Sequence, residues 1–293
     1  MNAARIWLQA TRPRTLPAAV APVLVGTAVA ATDDVFSIPR FVACLLGALF
    51  IQVGANLSND YSDARRGADT EDRLGPVRVT AGGLVPPKAV LVATWISFGL
   101  ASLCGVYLVA AAGWELLVVG VASIAAGVLY TGGPRPYGYA GLGEVFVFVF
   151  FGLAAVAGSA FAQLESWPAE AVILAVPVGL LASAILVVNN IRDADTDRRA
   201  QKNTLAVKLG REKARRLYAL MVYGAFVITP VPWLLGELGP WLLLSWLALP
   251  LAVPLVGFVR GHTDGPSLNL ALARTAMLQL VFCVLLAAGV LLS

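Results

Sequence analysis

The chain has 293 residues, of which 59% are hydrophobic and only 13% charged, and its mean hydropathy is +0.80. That composition leaves too little polar surface to cover a water-soluble fold, so soluble Rossmann, barrel and sandwich enzymes are excluded, as is any sizeable aqueous domain. The net charge of +4 would suit nucleic acid, but the basic residues are placed for a membrane, and no nucleic-acid partner is expected.

A bilayer-spanning helix needs about 20 mostly apolar residues. Nine runs read as such spans: 15–31, 38–58, 89–111, 114–130, 143–161, 169–189, 217–235, 240–258 and 270–292. They are continuously apolar, without the period-2 alternation of a membrane barrel. The first run has flanking arginines and an Ala28-Val29-Ala30 site, as a signal peptide would. Its length and its prolines, Pro17 and Pro22, favour a true span. Prolines within later runs, such as Pro177 and Pro254, predict kinks. The expectation is an all-α integral membrane protein with nine transmembrane helices, forming a single domain over 1–293.

With the N-terminus placed in the cytoplasm, all but Arg40 of the 21 basic residues fall on the inside. This predicts a multi-pass protein of the cell membrane with a cytoplasmic N-terminus and an outward C-terminus. Cys44, Cys104 and Cys283 lie inside apolar runs with no CxxC, and read as small buried hydrophobes. His262 is the only histidine, which excludes a histidine-rich metal site and a Ser-His-Asp triad.

The acids are clustered. Asp60, Asp63, Asp69, Glu71 and Asp72 follow the second run, and Asp193, Asp195 and Asp197 follow the sixth; these are eight of the chain's 17. The two stretches are written alike: Asn59 to Asp63 is an i,i+4 step, and so are Asn189 to Asp193 and Asp193 to Asp197. On a helix end such positions share a face. Four spans separate the stretches, so both point to the cytoplasm, as in a parallel internal repeat.

Two acidic faces at one membrane boundary repel unless cations lie between them. Oxygen ligands without His or Cys select Mg²⁺, which completes its shell with water and substrate phosphates. Arg78, Arg198 and Lys202 stand close by in sequence. The pattern therefore reads as a diphosphate site, and a diphosphate whose remainder belongs in membrane lipid is a polyprenyl diphosphate. Metal and basic groups would neutralise the leaving group. Aromatic faces would shelter an allylic cation, with Tyr130 the leading candidate.

These residues resemble a known family. NDYSD at 59–63, GPVR at 75–78 and DADTD at 193–197 are similar to the Asp-rich motifs of the UbiA superfamily of intramembrane prenyltransferases. RPRTLP at 12–17 and GGPRPYGYAGLGE at 132–144 resemble the branch that prenylates 1,4-dihydroxy-2-naphthoate in menaquinone synthesis. The resemblance implies nine helices around a central cavity. It makes Asn59, Asp63, Asp193 and Asp197 metal-facing, joined by Asp60 and Asp69, and the spacing of the second stretch adds Asn189. It places Arg78 and Lys202 toward the diphosphate, where Arg198 is also expected from its position, and the expected catalytic set is Asp63, Asp193, Arg78, Lys202 and Tyr130. The segment Arg135, Tyr137, Tyr139 and Glu144 would form part of the acceptor pocket. One departure is Gly67, where the common first motif carries Asp. Alternatives are a 4-hydroxybenzoate or homogentisate acceptor and, in another class, a membrane transporter. The latter fits poorly with acids gathered at helix ends on one side.

Overall fold

The computed structural model describes residues 2–68, 74–75 and 77–293, so the predicted ligand Asp69, with Glu71 and Asp72, lies outside the described residues. Among the described residues all regular structure is helical. In chain order the longer helices are α1 (Ala3–Thr11), α2 (Pro17–Ala31), α3 (Ile38–Arg65), α4 (Pro87–Ala112), α5 (Glu115–Leu129), α6 (Gly143–Leu164), α7 (Ala169–Arg199), α8 (Arg211–Leu234), α9 (Pro240–Gly261) and α10 (Gly265–Leu291), with a short helical turn, Leu205–Leu209, between α7 and α8.

Seven of these, α3, α4 and α6 to α10, are long and apolar enough to cross a bilayer, and the bent pair α1–α2 would supply an eighth. The sequence predicted nine. The run at 114–130 forms α5, whose 15 residues span only about 22 Å. Gly113, at φ 135°, ends α4 just before it, and the Gly132-Gly133-Pro134 stretch stops any extension beyond it. The 50° bend between α1 and α2 has a local cause. Arg12 adopts a left-handed φ of 53°, and Pro13 and Pro17 each lack the N–H that a continuous helix would need. The internal prolines Pro22, Pro177 and Pro254 are accommodated within α2, α7 and α9.

The main apolar core forms around α7, which packs against α2, α6, α8 and α10. Close approach to α6 depends on two glycines. A Cβ at Gly152 would stand 2.7 Å from Gly179 Cα, so any side chain there would push the helices apart. Gly152 sits in a π-helical stretch, Phe148–Ala154, where the extra residue per turn re-aims the following part of α6. The paired helices α3 and α4, with α5, make the opposite wall. Outward-facing apolar side chains such as Val92, Trp95, Ile96 and Leu103 on α4 and Val118 and Val121 on α5 are exposed. A surface of this kind belongs in lipid, and the protein is a multi-pass integral membrane protein.

The Asp-bearing stretches are the closing turns of helices, since α3 continues to Arg65 and α7 to Arg199. At the other end of α3, Arg40 joins three elements. Its guanidinium donates to the Ala111, Ala162 and Gln163 carbonyls and pairs with Glu165 at 2.8 Å.

Candidate active site

A cavity of about 460 Å³ separates the α7 side of the molecule from the α3–α4–α5 wall. Most of its lining is apolar, including Ala48, Val109, Leu116 and Phe150. Its polar end gathers Asn59 and Asp63 from α3 and Asn189, Asn190, Asp193 and Asp197 from α7. Arg78 and Lys202 line the same end. The two Asn/Asp helix faces therefore meet across one space, as their spacing predicts.

Asp63 is the most densely bonded of these groups. Lys202 Nζ donates to its Oδ2 at 3.0 Å, the Tyr139 hydroxyl donates to its Oδ1 at 2.8 Å, and an Arg78 guanidinium nitrogen lies 3.6 Å from Oδ2. Lys202 Nζ also stands 4.9 Å from the centre of the Tyr139 ring, a cation–π contact that holds the ring against the acidic end. Asn59 Oδ1 accepts from the Thr131 hydroxyl at 3.0 Å, which joins α3 to the loop after α5.

Asp193 is held differently. Arg192 donates to both its oxygens, Nε to Oδ1 at 2.7 Å and a terminal nitrogen to Oδ2 at 2.5 Å. The same guanidinium reaches Asn189 Oδ1 at 2.8 Å and Asn269 Oδ1, on α10, at 2.6 Å. Asn269 in turn donates to the Leu74 carbonyl at 2.9 Å, tethering the segment that leads to Arg78. An ionised carboxylate offers about four lone-pair positions, so this fork leaves Asp193 able to bind further. Asp197 accepts from Thr204 at 3.4 Å, and its carbonyl accepts from the Lys202 backbone N–H at 2.8 Å. That second bond turns the chain so that Lys202 faces Asp63.

Four of the expected site residues among those described, Asp60, Arg135, Arg198 and Glu144, do not line the cavity. Asp60 accepts from the backbone N–H groups of Val79 at 3.1 Å and Thr80 at 2.9 Å, and it does not line the cavity. It fixes the loop that carries Arg78. Arg198 is exposed and lies 3.9 Å from the equally exposed Asp195. Arg135 is exposed on the loop after α5, away from the cavity wall. Arg198 sits on the outward face of the last turn of α7 and Arg135 on the loop after α5, and both are exposed.

Tyr130, Tyr137 and Tyr139 all line the cavity. Tyr137 stacks on Phe146 at 3.8 Å between ring centres and meets Tyr130 edge-on at 5.4 Å. Its hydroxyl donates to the Ala126 carbonyl at 2.8 Å, and burial pushes the phenol above its ordinary pKa, so it stays a neutral donor. Glu144 is buried behind this wall, accepting from Asn190 Nδ2 at 2.8 Å.

The sequence reading missed several cavity residues. Arg12, Thr15, Gln52 and Asn56 form a second polar patch, with Thr15 Oγ1 accepting from Gln52 at 3.3 Å and from Asn56 at 3.4 Å. Arg192 was visible only as a member of a basic stretch, although its place between Asn189 and Asp193 on one helix end was a usable signal.

Among the described residues, no three Asp, Glu, His or Cys side chains are grouped closely enough to hold a metal by themselves. The available donors are oxygens from two facing helix ends beside two cations. Such a set fits a hard ion that takes part of its shell from phosphate and water.

A cavity that is apolar along its walls and acidic and basic at one end, enclosed by membrane helices, defines an intramembrane prenyltransferase fold. Residues 19–273 match the UbiA prenyltransferase family, and the chain belongs to that family. It is 41% identical to the 1,4-dihydroxy-2-naphthoate octaprenyltransferase of Mycobacterium tuberculosis, over 96% of this chain and 95% of that one. It is 38% identical to the Escherichia coli enzyme of the same name, over 98% and 95%. Its fold is similar to that of a UbiA homologue from Archaeoglobus fulgidus solved with DMAPP and Mg²⁺, with a TM-score of 0.72, 15% identity, and coverage of 97% of this chain and 98% of that one.

Proposed function

We propose that the protein transfers a polyprenyl group from polyprenyl diphosphate to 1,4-dihydroxy-2-naphthoate, releasing diphosphate and CO₂ and giving demethylmenaquinol for menaquinone biosynthesis. The observation that carries this reading is the joining of Asp63, Lys202 and Arg78 at the polar end of an otherwise apolar cavity. Near-full-length similarity to enzymes named for this naphthoate supports the choice of acceptor.

In this reading Arg78 and Lys202 hold the diphosphate. Asp63, Asp193, Asp197, Asn59 and Asn189 present the oxygens for Mg²⁺, as the donor chemistry suggests and as the Mg²⁺ in the A. fulgidus homologue's structure parallels. Bound Mg²⁺ would stabilise the charge that develops on the leaving diphosphate. Loss of diphosphate breaks the allylic C–O bond, and the faces of Tyr130, Tyr139 and Phe150 line the dry space where the cation forms. The ring carbon bearing the carboxylate attacks it. The C–CO₂ bond then breaks and its electron pair restores aromaticity, so no proton need be removed from that carbon. Arg12, on the cavity wall, offers a cation for the acceptor carboxylate.

The arginine and lysine distribution supports a cytoplasmic N-terminus, cytoplasmic Asp-bearing ends and an outward Ser293 in the cell membrane. The test of the reaction uses naphthoate labelled at the carboxyl carbon. Labelled CO₂ should be released in step with prenylated product and only when prenyl diphosphate is present. Retention of the label in the product, or faster prenylation of 4-hydroxybenzoate, would place the protein in another branch of the family.

A further inference from the structure

Glu144 is 4% exposed in the first turn of α6, and the two oxygens of its carboxylate have different surroundings. Oε1 accepts from Asn190 Nδ2 at 2.8 Å, whereas Oε2 is buried with no hydrogen-bond partner. Ser183 donates to the Glu144 carbonyl at 3.0 Å and so pins the backbone that carries the group. A buried carboxylate with an unpartnered oxygen costs stability, and a hydrophobic or amide residue would serve the packing better. Asn190, unlike Glu144, lines the cavity.

Glu144 Oε1 is the acceptor in its bond with Asn190 Nδ2. Facing it, the Asn190 carboxamide has one stable orientation, with its NH₂ group toward Glu144 and its Oδ1 left for the cavity. A carboxamide that could turn over would greet a donor or an acceptor equally well. Held by Glu144, it greets a donor only.

We propose that Glu144 is a positioning residue that fixes Asn190 as an acceptor-only reader of a ring hydroxyl on the aromatic acceptor. The pair thereby selects the free hydroxyl over an ether or a quinone carbonyl, whose lone pairs would face the lone pairs of Asn190 Oδ1. This inference rests on the naphthoate reading of the site, and it assigns to Glu144 a role in acceptor choice separate from the diphosphate end.

The experiment compares prenylation of 1,4-dihydroxy-2-naphthoate with that of its 1-O-methyl and 4-O-methyl ethers, using the full chain in detergent with Mg²⁺ and a prenyl diphosphate. The wild type should favour the free diphenol over at least one ether by about tenfold or more in kcat/KM. In Glu144→Gln, the new amide can donate to Asn190 Oδ1 and turn its NH₂ group toward the cavity. The preference should fall to within about twofold, with KM for the diphenol raised, KM for prenyl diphosphate unchanged and the thermal midpoint no lower. If Glu144→Gln does not fold, Asn190→Ala provides the same comparison and should also lose the preference. An active variant that keeps the full wild-type preference would overturn the inference, because a merely steric bar to the methyl group would survive the substitution. A wild type that prenylates none of the three naphthoates would overturn the functional reading and this inference with it.

Discussion

Lys202 Nζ and Asp63 Oδ2 lie 3.0 Å apart although 139 positions separate the residues in the chain. The pair closes the end of α3 against the turn that follows α7, and so joins the two related motifs through opposite charges. Both side chains are largely removed from solvent, which makes their interaction far stronger than that of an exposed pair. A cation already set beside the carboxylate is well placed to exchange that partner for an incoming phosphate oxygen.

Lys202→Ala should therefore raise KM for prenyl diphosphate by about tenfold or more, with a small effect on KM for the naphthoate. Asp63→Ala should lower kcat at least about a hundredfold while the protein remains folded by circular dichroism. Removal of divalent metal by chelation should abolish turnover, and added Mg²⁺ should restore it. Near-normal rates in the Asp63 variant or in chelator would remove the diphosphate–metal assignment.

Asp60 and Asp63 should separate in their response to an amide. Asp60→Asn keeps an oxygen for one of the two loop N–H groups and should retain most activity, whereas Asp63→Asn should not. Asp60→Ala orphans two buried backbone donors, at about 1–3 kcal/mol each, and should lower both the thermal midpoint and the rate. A loss of rate in Asp60→Asn as severe as in Asp63→Asn would show that Asp60 acts at the metal.

Arg192 gives a third contrast. Arg192→Met leaves the Asp193 carboxylate buried without its counter-charge and should destabilise the fold by about 3–5 kcal/mol. Arg192→Lys keeps the charge but cannot grip both oxygens while reaching Asn189 and Asn269. It should fold, need more Mg²⁺ for half-maximal rate, and show a changed Mg²⁺ titration rather than a uniformly lower one. An unchanged Mg²⁺ titration would leave Arg192 a purely structural role.

Single cysteines placed at Arg135, Arg199 and Ser293 in a cysteine-free background test the orientation. In intact cells only the cysteine at 293 should react with an impermeant maleimide. External labelling of 135 or 199 would reverse the topology.

Much of the architecture was legible because apolar runs and charge placement are strong, additive signals. Each of the nine runs coincides with a helix or a helix pair, yet the run at 114–130 yields only the short α5. Composition records how apolar a segment is, and the flanking Gly113 and Gly132-Gly133-Pro134 decide how much of it stays helical. The i,i+4 spacing identified Asn59, Asp63, Asn189, Asp193 and Asp197 as residues of one cavity. It could not sort Asp60 from them, because adjacent helix positions differ by about 100° and tertiary packing chooses which of them faces inward. The Arg12–Thr15 patch was hidden for a related reason. It depends on a left-handed residue before two prolines, and that bend has no periodic signature.

The asymmetry of the cavity has a consequence for traffic. Val106, Leu117 and Val121 line it and are also exposed on the apolar exterior, while Arg40 ties α3, α4 and α6 together at the end away from the acidic residues. Diphosphate is at home in water, and the charged end of the cavity is the side that suits it. The prenylated ring drags a tail that water rejects, and the α4–α5 side, with its exposed apolar residues, faces the lipid. The two products thus differ in solubility, one suited to the water at the charged end and the other to the lipid beside the apolar wall.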